Sequence, residues 1–416
     1  MQAQLVKKTE NEAFLGFWDW VLVVGVTLTP MNELRIWKLG PGEILLLIWS
    51  FRYLSKLFSV RLNSIFFRFW LLFLPCISIG AAYCVLFYPD EADPMSLLTF
   101  ALFAFISIAI VEGLQDRPSQ RIRNTIYAIG VAPAFWYMFL YIYSRKVRAR
   151  FLGAALWYMN VRFSGGANNP HHIAPLLCAA LFINMIHLLD RDASLFRKAL
   201  AAVSMFFCGF VSLKTKSSTL IVAVVISFGF FAYYLSMRYL KEKTQRWIAT
   251  SVLIIVFAAL VGIFQEKLYD YVFEWVESDA NGLGRFDIFY SIGDMLRKGW
   301  LTGLGPGTHG MNGTIEFHNS YLEFLAMGGV IGITLFIIFS VRLYRTIWID
   351  PIMSFCIIPF YAYGLGGFSM RRMSFWIIVS LTASYAIQRR KETGRTEVEP
   401  YLTESAGAAI DSPKGT

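Results

Sequence analysis

The chain has 416 residues, 56% of them hydrophobic and only 16% charged, with a formal net charge of +10 and a mean hydropathy of +0.52. So many long apolar runs exclude a soluble domain and call for a polytopic membrane protein, at ~20 residues per crossing. Backbone groups in hydrocarbon must be satisfied within helices or a closed barrel, and the short period-two segments of a barrel are missing. The fold class is therefore all-α integral membrane.

Lys7 and Lys8 precede the first apolar run, and no small-residue cleavage site follows, so that run reads as a retained span. Hydropathy predicts about twelve spans, near 14–30, 40–57, 65–88, 95–115, 124–143, 171–189, 199–213, 217–236, 247–265, 319–341, 352–369 and 372–388. An even number puts both termini on one side. Lys7 and Lys8, then Arg52, Lys56 and Arg61, then Arg117, Arg121 and Arg123, then Arg238, Lys241, Lys243 and Arg246, then Arg342 and Arg345, and finally Arg389, Arg390 and Lys391 all share a face. The positive-inside rule makes that face the cytoplasm and accounts for the net charge without a nucleic-acid partner. The acidic turn Pro89 to Pro94 and the long loop 266–318 then lie outside.

One connection breaks the rule. Arg145, Lys146, Arg148, Arg150 and Arg162 fall on the outer face between the fifth and sixth spans. Either residues 151–163 cross the membrane, for which they are short, or the segment lies at the outer interface with its cations toward anionic headgroups or an anionic substrate. The second reading keeps the downstream charge balance. Residues 391–416 are polar, lack an apolar period and read as a disordered cytoplasmic tail. Cys76, Cys84, Cys178, Cys208 and Cys356 sit inside apolar runs without metal spacing and read as core residues.

The outer connections hold the residues able to do chemistry. His318 and Asn319 open the tenth span, followed by Tyr321, Glu323 and Gly328-Gly329. An imidazole at a membrane edge is either an interfacial anchor or a base that can be neutral at working pH. Arg285, after Gly282 and Gly284, offers a planar fork for phosphate, while Phe286, Phe289, Ile292 and Met295 at helical spacing read as packing. Gly303, Gly305 and Gly307 form a tight turn with no Walker lysine after it. Lys214 and Lys216, at the turn between spans seven and eight, are interface anchors or phosphate ligands, and Arg162 has the same two readings. His171 and His172 start the sixth span as secondary candidates. Asp190-Arg191-Asp192 reads as a solvated charge run, and no HExxH or CxxC spacing calls for a metal.

Three segments in order, RFSGGANNPHHIAPLL, LKTKSSTLI, and GLGRFDIFYSIGDMLRKGWLTGLGPGTHG leading to FHNSYLEFLAMGGVIG, resemble the bacterial O-antigen ligase and polysaccharide polymerase superfamily. The resemblance covers about residues 150–340 within a membrane domain of 1–390. It implies a GT-C-like glycosyltransferase of the inner membrane whose site faces the periplasm. Such an enzyme moves a glycan from undecaprenyl diphosphate to a sugar hydroxyl of a glycan or lipid-linked acceptor, with inversion and without metal or other cofactor. Arg285, Lys216, Lys214 and Arg162 would bind the diphosphate, His318 would be the catalytic base, and Asn319, Tyr321, Gly305 and Gly307 would support them. A flippase and a chain-length regulator are the implied protein partners.

Many members have an arginine where this chain has Lys216, which gives a point charge in place of a fork. That feature is closer to exopolysaccharide polymerases than to ligases that cap lipid A core, the alternative within the class. A lipid-linked glycan transporter is the alternative from another class, but transporters commonly show paired broken helices and internal symmetry, and no repeat is visible.

Overall fold

The computed structural model describes residues 14–36, 39–58, 64–240, 293–307 and 319–394, with isolated positions between 242 and 255. Helices dominate, as hydrocarbon requires. In chain order they are α1 (Phe17–Leu28), α2 (Pro41–Phe51), α3 (Ile65–Phe87), α4 (Ser96–Gly113), α5 (Ser119–Lys146), α6 (Ala174–Leu188), α7 (Leu195–Thr215), α8 (Ser218–Tyr239), α9 (Ser320–Ile347), α10 (Ile358–Tyr363) and α11 (Met373–Thr393). Among the described residues, seven helices are long and apolar enough to cross a membrane: Ile65–Phe87, Ser96–Gly113, Ser119–Lys146, Pro170–Leu188, Leu195–Thr215, Ser218–Tyr239 and Ser320–Ile347.

The first two predicted spans are shorter than expected. Helix α1 ends at Leu28, with Thr29 as its C-cap before Pro30, and α2 stops at Phe51 before a separate turn of helix, Leu54–Leu57. At 12 and 11 residues they extend only ~17 Å each. The eleventh span is a 3-10 stretch, Pro351–Cys356, continued by α10.

The stretch that breaks the charge rule contains no crossing helix. It folds as two small hairpins, β1 (Arg150–Phe151) with β2 (Ala154–Ala155), and β3 (Trp157–Tyr158) with β4 (Arg162–Phe163). Their tips use left-handed backbone at Leu152, Gly153, Met159 and Asn160, as tight hairpins do.

Helix α11 is the axis of the bundle, buried along most of its length. Three of its hydroxyls turn back onto their own helix, Ser380 to the Trp376 carbonyl, Thr382 to that of Ile378 and Ser384 to that of Ser380, which satisfies these buried polar groups. Around it, Trp376 meets Trp70 of α3 at 4.5 Å between ring centroids, and Phe69 meets Phe339 of α9 at 4.6 Å. All five cysteines are buried and unbridged, consistent with packing alone.

Helix α9 breaks at Gly329, whose φ of 61° is outside the helical range. A break inside a membrane helix frees backbone groups that need partners. The glycine turn supplies them. Leu304 and Gly305 donate their N–H groups to the carbonyls of Ala326 and Met327 over 3.0 and 3.1 Å, while Val330 and Ile331 donate to Trp300 and Leu301 over 2.9 and 3.2 Å. A Cβ on Gly303 would lie 2.4 Å from the Met327 carbonyl carbon, and one on Gly305 2.5 Å from the Ala81 Cα of α3. Only glycine fits that approach.

The connections 29–40, 88–95, 147–173, 216–217 and 364–372 share one end of the bundle with Asn319. The opposite end is tied by partly buried ion pairs, Arg121 to Asp19 at 2.6 Å and Arg123 to Asp190 at 3.1 Å. Asp190 is therefore a packed structural group, unlike the solvated charge its sequence suggests.

Candidate functional site

The site end is organised by the turn 363–372 between α10 and α11, which draws in segments distant in the sequence. Thr219, in the first turn of α8, donates through Oγ1 to the Gly366 carbonyl over 2.9 Å. Asn319 caps α9, its Oδ1 accepting from the N–H groups of Tyr321 and Leu322 at 2.9 and 3.1 Å, while its Nδ2 donates to the Leu365 carbonyl at 2.9 Å. Ser320 donates to the Gly367 carbonyl at 2.8 Å. One amide side chain thus both starts a helix and fastens it to the turn.

Three predicted cations gather beside this hub. Arg162, on β4, donates through Nε to the carbonyl of Thr215, the last residue of α7, over 3.0 Å. Lys214 lies with Nζ 5.0 Å from the Phe210 ring centroid, a cation–π contact that holds it near the interface. Lys216 is exposed and left-handed, with φ 48° and ψ 40°. That conformation suits glycine at a helix end and costs a lysine about 1 kcal/mol. Arg285 and His318 lie outside the described residues.

Behind the lysine turn stands a wall of hydrogen bonds. The Tyr363 hydroxyl lies 2.8 Å from His171 Nδ1, and Ser217 Oγ lies 3.4 Å from that hydroxyl and 3.5 Å from the same nitrogen. His171 also faces a polar cavity of about 550 Å³, within the usual range for small-molecule sites. The residues Arg35, Asn32, Asn168, His172, Arg371 and Arg372 give this cavity its polar character. Asn32 and Asn168 bond reciprocally, side-chain Nδ2 to Oδ1 and backbone N–H to Oδ1, both at 2.8 Å. Arg372 donates to His172 Nδ1 at 2.8 Å, and Arg371 to Glu323 at 3.0 Å. Because a guanidinium only donates, His172 Nδ1 must hold a lone pair and the ring is neutral while the contact lasts.

The supporting residues divide. Gly307 packs behind two residues that line the cavity, where a Cβ would lie 2.5 Å from Ser96 Oγ and 2.8 Å from Asp93 Oδ2. Gly305 serves the backbone contact with α9. Tyr321 does not line the cavity; its hydroxyl donates to the Tyr361 carbonyl at 2.9 Å and ties α9 to α10. Arg35, Arg371 and Arg372 did not stand out in the sequence, although two adjacent arginines in a turn expected on the outer face are themselves an exception to the charge rule. Among the described residues no group of three His, Cys, Asp or Glu side chains is placed to hold a metal ion.

Residues 200–337 match a family model described as O-antigen ligase. The matched stretch includes the Lys214–Ser217 turn, Arg285, His318, Asn319 and the broken part of α9. No curated protein matches the chain.

Proposed function

We propose, from the premise that over 200–337 the chain carries the domain of the O-antigen ligase and polymerase superfamily, that it is a surface-polysaccharide polymerase of the bacterial inner membrane, with its site on the periplasmic face. At family level this is a membrane glycosyltransferase of the ligase and polymerase type. The finer reading is supported most by one observation: Arg162 reaches the turn that carries Lys214 and Lys216, at the same end of the bundle as Asn319.

The donor's diphosphate binds Arg162, Lys214 and Lys216 together with Arg285, and these cations stabilise charge as it develops on the leaving group. His318 removes the proton from the acceptor hydroxyl. The acceptor oxygen then bonds to the anomeric carbon as the bond from that carbon to the carrier phosphate breaks, with inversion, and the carrier leaves as the lipid diphosphate. The phosphoester bond already stores the driving force, so no nucleotide is consumed. Lysine in place of arginine at 216 favours polymerase over ligase.

The test is transfer by purified protein in chelator, with a lipid diphosphate-linked repeat as both donor and acceptor. Lengthening of the glycan with release of carrier diphosphate is expected. Transfer only to lipid A core would identify a ligase, and flux across vesicles without transfer would identify a transporter. In cells, loss of a polymerase leaves single repeats, whereas loss of a ligase strands long polymer on the carrier.

A further inference from the structure

The cavity beyond His171 has a chemistry that the proposed reaction has not used. None of Arg162, Lys214 and Lys216 lines it; the wall formed by His171, Ser217 and Tyr363 stands between. Its polar side carries three guanidinium groups, those of Arg35, Arg371 and Arg372. The two carboxylates that share the lining are committed to helix starts: Glu43 accepts from the Gly40 N–H at the start of α2, and Asp93 accepts from Ser96 Oγ at 2.7 Å. Both carboxylates keep their charge and Arg371 is paired with Glu323 at 3.0 Å, so what the cavity offers an anion is the guanidinium donors of Arg35 and Arg372 and not a net positive field.

The opposite side of the cavity is apolar and open. Met95, Leu98 and Leu102 of α4 line it, and Met95 and Leu98 are 41% and 55% exposed on the flank of the bundle. A cavity with guanidinium groups within and exposed apolar side chains at its lip fits an amphiphile that enters sideways from the lipid. The anionic head meets the arginines and the chain stays in hydrocarbon. A soluble sugar would need no such lip.

We infer that the cavity bounded by Arg35, Arg371 and Arg372 binds the headgroup of a lipid-linked diphosphate, separately from the cations at 162, 214 and 216. This rests on the proposed glycan transfer for the identity of the lipid. The reaction has two substrates, and a polymerase takes both on lipid carriers, so a second headgroup site allows donor and acceptor to be held together.

The test titrates the full-length protein, in nanodiscs of phosphatidylcholine, with farnesyl diphosphate, using farnesol as the uncharged control. Two binding sites for the diphosphate are expected. Arg372→Gln removes one that Lys216→Gln leaves intact, and Lys216→Gln removes the other. Arg35→Gln, at the exposed mouth, weakens the same site as Arg372→Gln by roughly tenfold and serves if the Arg372 variant folds poorly. Initial rates then assign the source: a KM raised for acceptor alone places the acceptor's carrier in the cavity, and one raised for donor alone places the donor's. The inference is overturned if a single site is found that neither Arg35→Gln nor Arg372→Gln alters, if farnesol binds the cavity as tightly, or if phosphatidylglycerol displaces the probe with equal strength. Binding needs no turnover, so a protein that binds twice and transfers nothing would refute the proposed reaction and leave the cavity assignment standing.

Discussion

Arg372 and His172, 200 positions apart in the chain, meet at 2.8 Å with the guanidinium donating to the imidazole Nδ1. The contact joins the start of α11 to the start of α6 across the cavity. It makes Nδ1 the accepting nitrogen, while the Asn32 amide nitrogen lies 3.2 and 3.3 Å from Nδ1 and Nε2.

Replacing His172 separates the acceptor from the ring. In His172→Leu the mostly buried guanidinium loses a partner, at a cost of about 1–3 kcal/mol, and the melting temperature should fall. His172→Gln keeps an acceptor oxygen and should stay closer to wild type. Melts of the two variants in detergent check this; equal loss in both would mean that ring packing, and not the accepted hydrogen bond, is what matters.

Asn319 has two functions that substitution can divide. Asn319→Asp keeps the cap to Tyr321 and Leu322 but loses the donor to Leu365. Asn319→Ala loses both, and the cap alone is worth about 1 kcal/mol. Transfer should decline in both variants, since the start of α9 is no longer fastened to the 363–372 turn, while stability declines more in the alanine variant. Paired melts and initial rates measure the separation.

Lys216 holds a conformation that glycine would adopt without strain. Lys216→Gly should leave the fold as stable as before or improve it by about 1 kcal/mol. Transfer should fall ~10-fold or more as a charged phosphate contact is lost. A variant that is both more stable and fully active would remove Lys216 from the diphosphate site.

Gly329 and Gly332 make a controlled pair on one helix. A Cβ at Gly329, with φ 61°, would lie 2.3 Å from the Leu301 carbonyl oxygen, whereas at Gly332 the nearest atoms are at 3.5 Å. Gly329→Ala should destabilise by more than ~3 kcal/mol. Gly332→Ala, in regular helix, should be neutral or stabilising by up to about 1 kcal/mol. Expression level and melting temperature of the two variants give the comparison.

Hydropathy located the long helices because hydrocarbon leaves a backbone no alternative to internal pairing, and α3, α4, α7 and α8 lie close to their predicted bounds. It overstated α1 by a few residues at each end, the helix spanning Phe17–Leu28, and overstated α2 because apolar residues continue past Arg52, where that helix has ended. The glycine turn was legible as a turn, but its insertion against the broken α9 was not; nothing local tells which of Gly328 and Gly329 takes positive φ. Arg162 and Lys216 were legible as cations out of place for their face. The cavity was not, because it depends on pairings such as Asn32 with Asn168, 136 positions apart, that leave no periodic trace. Arg371 and Arg372 were hidden by brevity: two charges in a short turn barely alter a loop count.

The glycine turn and the broken helix are joined by main-chain hydrogen bonds, about 10 Å below the end of α3 where Gly80 lies. Withdrawing one from the other would break four hydrogen bonds and leave four N–H and four C=O groups without these partners, each at a cost of several kcal/mol in hydrocarbon. On the timescale of turnover the two therefore travel as a single piece. Gly307 and Asn319 act as posts set in that piece, keeping a constant span.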